Sequence, residues 1–365
     1  MSTGPSPAPA IGFFDRLLTV WVLACMIVGV LIGRLLPSVA TFLGTLTYAN
    51  ISIPIAVLIW VMIYPMMLKV DFASLRDVRR NPKGLMVTWV ANWLVKPFTM
   101  FALTSLFFYV VFAGLISHDL SRDYVAGAVI LGAAPCTAMV FVWSHLTKGN
   151  PTYTVVQVAT NDLLILVLFT PIVGFLLGIG GIQIPWATLL FSVVLFVVIP
   201  LAAGVITRVV LTRRKGPAYF QDVFIPKFSQ VTIVGLLLTL VLIFTSQSAV
   251  ILANPLHIVL IAVPLVIQTV LMFSLTYGAA KLLRLRHDIA APAAMIGGSN
   301  FFELAVAVAV ALFGATSPVA LATTVGVLVE VPVMLGLVHF ANRTTGWFPE
   351  RPAAAVRPAP ATHWP

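Results

Sequence analysis

The chain is 365 residues long, 60% hydrophobic and only 9% charged, with a mean hydropathy of +1.07. No soluble core uses that much apolar surface, so the composition excludes a water-soluble protein and makes lipid the solvent. The formal net charge of +10 would suit a nucleic-acid partner, but the placement of the charges assigns it to membrane topology and excludes that partner.

Residues 1–16 begin MSTGPSPAPA, a Pro-rich tail with no basic n-region. The apolar run after Arg16 is of full span length, so it is expected to stay as a first helix and not to be cleaved as a signal. Hydropathy then gives ten transmembrane helices, near 17–36, 47–68, 84–112, 123–146, 151–178, 186–211, 224–246, 254–283, 288–313 and 318–341. Of the 21 Lys and Arg residues, 18 fall on one side of this map. Only Arg34 and Arg122 fall on the other, and Lys96 lies within a span. Positive charge stays in the cytoplasm, which predicts a multi-pass protein of the inner or plasma membrane with both termini cytoplasmic. The Pro/Ala-rich stretch 343–365 is expected to be a disordered cytoplasmic tail. Cys25 and Cys136 stand in separate apolar segments, which predicts two free thiols.

Two five-span halves, 17–178 and 186–342, are predicted. Because five is odd, the second half enters the membrane from the opposite side, which makes an inverted repeat. The fourth and ninth spans support the pairing. Each opens with a basic residue and an Asp, and each reaches a glycine at the same distance (Asp123 to Gly132, Asp288 to Gly297). Each is followed by a polar-Pro pair, Asn150-Pro151 or Ser317-Pro318, that opens the next span. Counted back from those prolines, Cys136 and Glu303 occupy matching positions; counted forward from the Asp residues, the match moves by two. Both spans carry a helix breaker near the middle, Gly132 to Pro135 and Gly297-Gly298-Ser299-Asn300. Paired interruptions at membrane depth point to a transporter's substrate site, although Gly and Pro also kink ordinary membrane helices.

Pro135 suits the first position of a new half-helix, which would put Cys136 in its first turn. There the helix end and the apolar surroundings act on the thiol in opposite senses. Asn300 and Glu303 have the spacing of a capping box. That leaves an acid near mid-membrane, which costs at least ~2.5 kcal/mol if charged, so Glu303 also fits a group that exchanges a proton. Lys96, Asp162 and Glu330 are further ionisable residues within spans. Lys96 is expected to be neutralised by an acid, and Lys96 and Asp162 fit a structural ion pair as well as a proton relay. Asn92, Asn161 and Asn300 can bond a neutral polyhydroxyl substrate or satisfy broken backbone. Trp143 lies seven residues after Cys136, two turns along the same helix face, which suits packing or the wall of a cavity. No GxxxxGK[ST] loop and no HExxH motif occurs, so neither an ATPase of that type nor a zinc protease is supported.

Over about residues 15–342 the sequence resembles the arsenical-resistance arsenite permeases of the bile-acid/sodium-symporter-like superfamily. The segments "APCTAMVFVWSHLTKGNPTYTVVQVATNDLLILVLFTPIVG" and "NFFELAVAVAVALFG" carry the resemblance. It implies a ten-helix carrier, not an enzyme, that exports arsenite and often antimonite in exchange for protons, with no cofactor and no ATPase subunit. It further implies that Cys136 is the essential cysteine and As(III) ligand, and that Glu303 and Glu330 are the required acids. Trp143, Asn161, Asn92 and Lys96 match the family's Trp, Asn and third-span Asn and Lys. Some members carry a basic residue just before the cysteine, where Pro135 stands here.

Overall fold

A computed structural model describes residues 18–48, 51–69, 82–137, 139–182, 186–253 and 255–349. The fold is all-α and that of an integral membrane protein; its strands among the described residues are one short pair, Thr47–Tyr48 (β1) with Ile51–Ser52 (β2), beside one isolated bridge between Pro135 and Asn300. The helices are α1 Leu18–Leu35, α2 Pro37–Thr45, α3 Ile53–Lys69, α4 Pro82–Val111, α5 His118–Gly132, α6 Val140–Leu146 and α7 Pro151–Ile179. They continue as α8 Trp186–Lys215, α9 Ser229–Ala253, α10 Pro255–Leu282, α11 His287–Gly298, α12 Phe302–Phe313 and α13 Pro318–Arg343. Among the described residues, α4, α7, α8, α10 and α13 are each long and apolar enough to cross a membrane unaided. The α1–α2 pair passes the same test across a 95° bend at Leu36, where Pro37 cannot continue the ladder of α1.

Proline also explains the π turns inside two of the long helices. Residues Val90–Val95 widen to a π turn just before Lys96-Pro97, and Val194–Val198 do so just before Ile199-Pro200. A proline ring collides with the carbonyl one turn upstream, and a wider turn relieves that collision without ending the helix. The helix starts follow their prolines and caps as the sequence predicts. Asn150 accepts from the Tyr153 N–H and Ser317 from the Ala320 N–H, with Pro151 and Pro318 behind them.

The two sequence halves do not form separate bodies. Helices α1, α3, α8 and α9 pack together, so each half contributes to that group. In the other group α13 packs on α5, α10 and α12, α4 packs on α5 and α10, and α6 lies between α7 and α11. Small residues bring α5 and α13 close: a methyl group added at Gly127 would stand 2.7 Å from the Ala322 Cβ. Of the expected tails, 1–16 and 350–365 lie outside the described residues, whereas the stretch just after Arg343 is packed. Phe348 is buried against the Tyr277 ring at 4.7 Å, and the Lys281 ammonium stands 4.4 Å over Trp347.

Candidate substrate site at the helix crossing

The two interrupted spans meet at their breaks. Helix α5 ends at Gly132 and α6 begins at Val140; α11 ends at Gly298 and α12 begins at Phe302. Between them the two linkers run antiparallel. Pro135 pairs with Asn300, and the Phe301 N–H donates to the Ala134 carbonyl at 2.8 Å. One backbone group released by each break is thus satisfied by the other, and side chains take further ones, as the hydrocarbon interior requires. Asp123 and Asp288 stand as far apart in sequence as Pro135 and Asn300, so the bridge follows the forward count.

Two local expectations are corrected. Pro135 does not start a half-helix: it lies in the extended linker, and Cys136 follows it there, four residues before α6. A proline has no N–H to leave unpaired, so it suits an extended strand whose neighbour supplies the donor. Trp143 therefore lies on α6 while Cys136 does not, and the two share no helix face. The capping box is also absent. Phe301 is the N-cap of α12 with no side-chain bond, and the Asn300 Oδ1 has no partner. The Glu303 carboxylate instead takes its own backbone N–H.

Ser299 ties the crossing together. Its hydroxyl donates to Glu330 Oε1 at 2.5 Å, and the same oxygen accepts the Asn300 N–H at 3.1 Å. The Lys96 ammonium donates to the Ser299 carbonyl. Sequence reasoning missed Ser299, although it stands inside the quoted GGSN break. Cys136 is 1% exposed and packs with Val140, Val158 and Ile296; the Ser299 side chain and the Met139 N–H face its sulfur. Lys96, Glu303 and Glu330 stand within electrostatic range of this thiol group or of each other. Asp162 is not among the groups around Lys96, so the two make no ion pair; the Thr137 hydroxyl lies toward Asp162 outside hydrogen-bond geometry. Cys25 is remote, half-buried on α1, and both cysteines are free.

The remaining expected residues are buried as well. Asn92, in the π turn of α4, is fully buried with neither amide atom bonded. Asn161 accepts from the Trp93 indole at 3.4 Å and leaves its Nδ2 free, and the buried Trp143 leaves its indole N–H free. Two glutamines were missed. Gln157 is buried with both polar atoms unpaired, while Gln268 donates to the Lys96 carbonyl at 3.1 Å and to Thr99 at 2.9 Å. Their signal was available, since a lone amide in an apolar run costs free energy unless something bonds it. Among the described residues, Glu303 and Glu330 each keep one carboxylate oxygen without a partner as well. Native interiors leave few such groups, so their number on the helices around the crossing makes it the candidate site for a polar guest.

Two interrupted helices crossing inside an all-α membrane protein, with unpaired polar groups around the crossing, are the construction of a secondary transporter. The sodium bile acid symporter family matches residues 56–254, more than half of the chain, and this protein belongs to that family. An arsenical-resistance protein, Acr3, of Alkaliphilus metalliredigens is 62% identical over 340 residues, covering 93% of this chain and 95% of that protein. An Acr3 of Corynebacterium glutamicum is 35% identical over 348 residues, covering 93% and 91%. An uncharacterised transporter of Synechocystis is 44% identical over 355 residues, covering 95% and 93%.

Proposed function

We propose that this protein exports arsenite from the cytoplasm by exchange for protons, and so confers arsenic resistance. The observation that supports this best is a single buried thiol, Cys136, in the crossing beside two carboxylates that each keep an unpaired oxygen. The names of the Alkaliphilus and Corynebacterium relatives point the same way.

Arsenous acid is neutral, and its arsenic exchanges a hydroxyl for sulfur: As(OH)3 and the Cys136 thiol give an S–As(OH)2 adduct and one water. One S–As bond keeps capture reversible, which three would not. Asn92, Trp143, Asn161 and Asn300 contact the remaining hydroxyls. Glu303 and Glu330 exchange the proton that couples uphill export to the gradient, and Lys96 and Asp162 are supporting charges. The same chemistry extends to antimonite. The carrier has ten spans in two inverted repeats, both termini in the cytoplasm, an inner- or plasma-membrane location and no ATPase subunit. The group formed by α1, α3, α8 and α9 rocks against the helices that hold the crossing.

Arsenite uptake by everted vesicles tests this. A protonophore is expected to collapse the flux, and Cys136→Ala and Glu303→Gln to lower it at least ~10-fold each, about 1.4 kcal/mol in the rate-limiting step. If both variants carried arsenite at wild-type rates, the site would be wrong. Flux that follows a sodium gradient instead would make the protein a sodium-coupled symporter. Downhill flux indifferent to the protonophore would make it a channel.

A further inference from the structure

A groove of about 440 Å³ lies between α4 and α10. Met86, Val90 and Val95 line it from α4, and Met272 and Leu275 from α10, with Leu283 just past its end. Apart from Thr276 its lining is apolar, and Met86 is 60% exposed. Its length is informative. Nine residues separate Met86 from Val95 and eleven separate Met272 from Leu283, so at 1.5 Å per residue the groove runs about 13–16 Å. Half of a ~30 Å hydrocarbon core is about 15 Å, so the groove spans one leaflet from interface to midplane.

Its interfacial end is cationic. Lys83 stands three residues before Met86, and Arg284 immediately follows Leu283 at the end of α10. Both are exposed, and among the described residues neither meets a carboxylate. Lys281 is turned away over Trp347. We propose that this groove binds one anionic phospholipid from the leaflet faced by the basic loops, an acyl chain along α4 and α10 and the phosphate at Lys83 and Arg284. The lipid would back directly onto the transport machinery. Ala91 in the groove wall precedes Asn92, and Thr276 packs against Gly297 at the break of the ninth span. The assignment does not depend on what the carrier exports.

Each interfacial cation favours an anionic lipid about fivefold, so the pair predicts a preference of about thirtyfold. Native mass spectrometry of the full chain, in micelles with equal phosphatidylglycerol and phosphatidylcholine, reads that ratio. One retained phosphatidylglycerol is expected per protein, with the preference falling to within a few-fold in K83A/R284A. Val90→Trp, at a 44% exposed position, should fill the groove and remove the retained lipid. Size-exclusion profiles check that both variants are folded. Equal retention of the two lipids, or a preference unchanged in K83A/R284A, would overturn the assignment. So would a wild-type dimer without lipid that Val90→Trp turns into a monomer, because the groove would then be a subunit contact.

Discussion

Replacing Ser299 by alanine removes one hydroxyl and little volume, yet it takes from Glu330 Oε1 the shorter of its two bonds, 2.5 Å from Ser299 against 3.1 Å from the Asn300 N–H. A hydrogen bond to an ionised acceptor is worth about 1.5–3 kcal/mol, and one between neutral partners about 0.5–1.5 kcal/mol. The measurement is a double-mutant cycle of Ser299→Ala and Glu330→Ala, read by equilibrium unfolding in mixed micelles. Because Glu330 is buried and bonded on that oxygen by Ser299, the two substitutions should be non-additive by about 0.5–3 kcal/mol. The value also reports the charge of Glu330 in the resting protein: above about 1.5 kcal/mol it means carboxylate, below that carboxylic acid. Ser299→Thr keeps the hydroxyl and should keep most of the coupling. Substitutions that add within about 0.3–0.5 kcal/mol would refute the reasoning, because Ser299 would then not be holding Glu330.

Other predictions separate structural from functional roles. Asn92→Leu removes two unpaired buried amide atoms and keeps the number and branching of side-chain heavy atoms, so the thermal midpoint should stay or rise while arsenite flux falls; retained flux would remove Asn92 from the site. Gly127→Ala should destabilise by about 1–3 kcal/mol, because the added methyl meets the Ala322 Cβ at 2.7 Å. Gly336→Ala in α13 meets nothing within 4 Å and should be neutral or stabilise by up to about 1 kcal/mol. Thermal unfolding of the pair in detergent checks both, and equal effects would mean that the α5–α13 contact is looser than described.

Much of the candidate site was legible because lipid makes polar residues conspicuous. Asn92, Lys96, Glu303 and Glu330 stand out of apolar runs, and the structure buries all four. The breaks were legible for the same reason, as Gly132–Pro135 and Gly297–Asn300 interrupt spans of ordinary length. What the sequence did not carry was how the breaks are satisfied. A helix cap is a local pattern, so Pro135 before a thiol and Asn300 before Glu303 both read as helix starts. The partner that wins is remote: Ala134 takes the Phe301 N–H, and Glu330 takes the Asn300 N–H, thirty residues away. The reach of Lys96 to a carbonyl instead of to Asp162 is tertiary in the same sense.

The charges at the crossing sort by the helix ends they meet. Lys96 donates to the carbonyl of Ser299, the C-cap of α11, where carbonyls without intrahelical partners give the end its negative character. Glu303 occupies the first turn of α12, at the positive end, and Glu330 accepts an N–H from the same linker. A charge at mid-membrane costs about 2.5–3.5 kcal/mol by insertion scales, while a favourably placed helix end returns at most ~2 kcal/mol. The dipole alone therefore leaves a deficit, and charge-assisted hydrogen bonds from Ser299 and Asn300 are large enough to close it for Glu330. A continuous helix would offer neither the end nor the free backbone groups. The interruptions thus make acids tolerable at this depth, and the extended linker they require brings Cys136 alongside those acids.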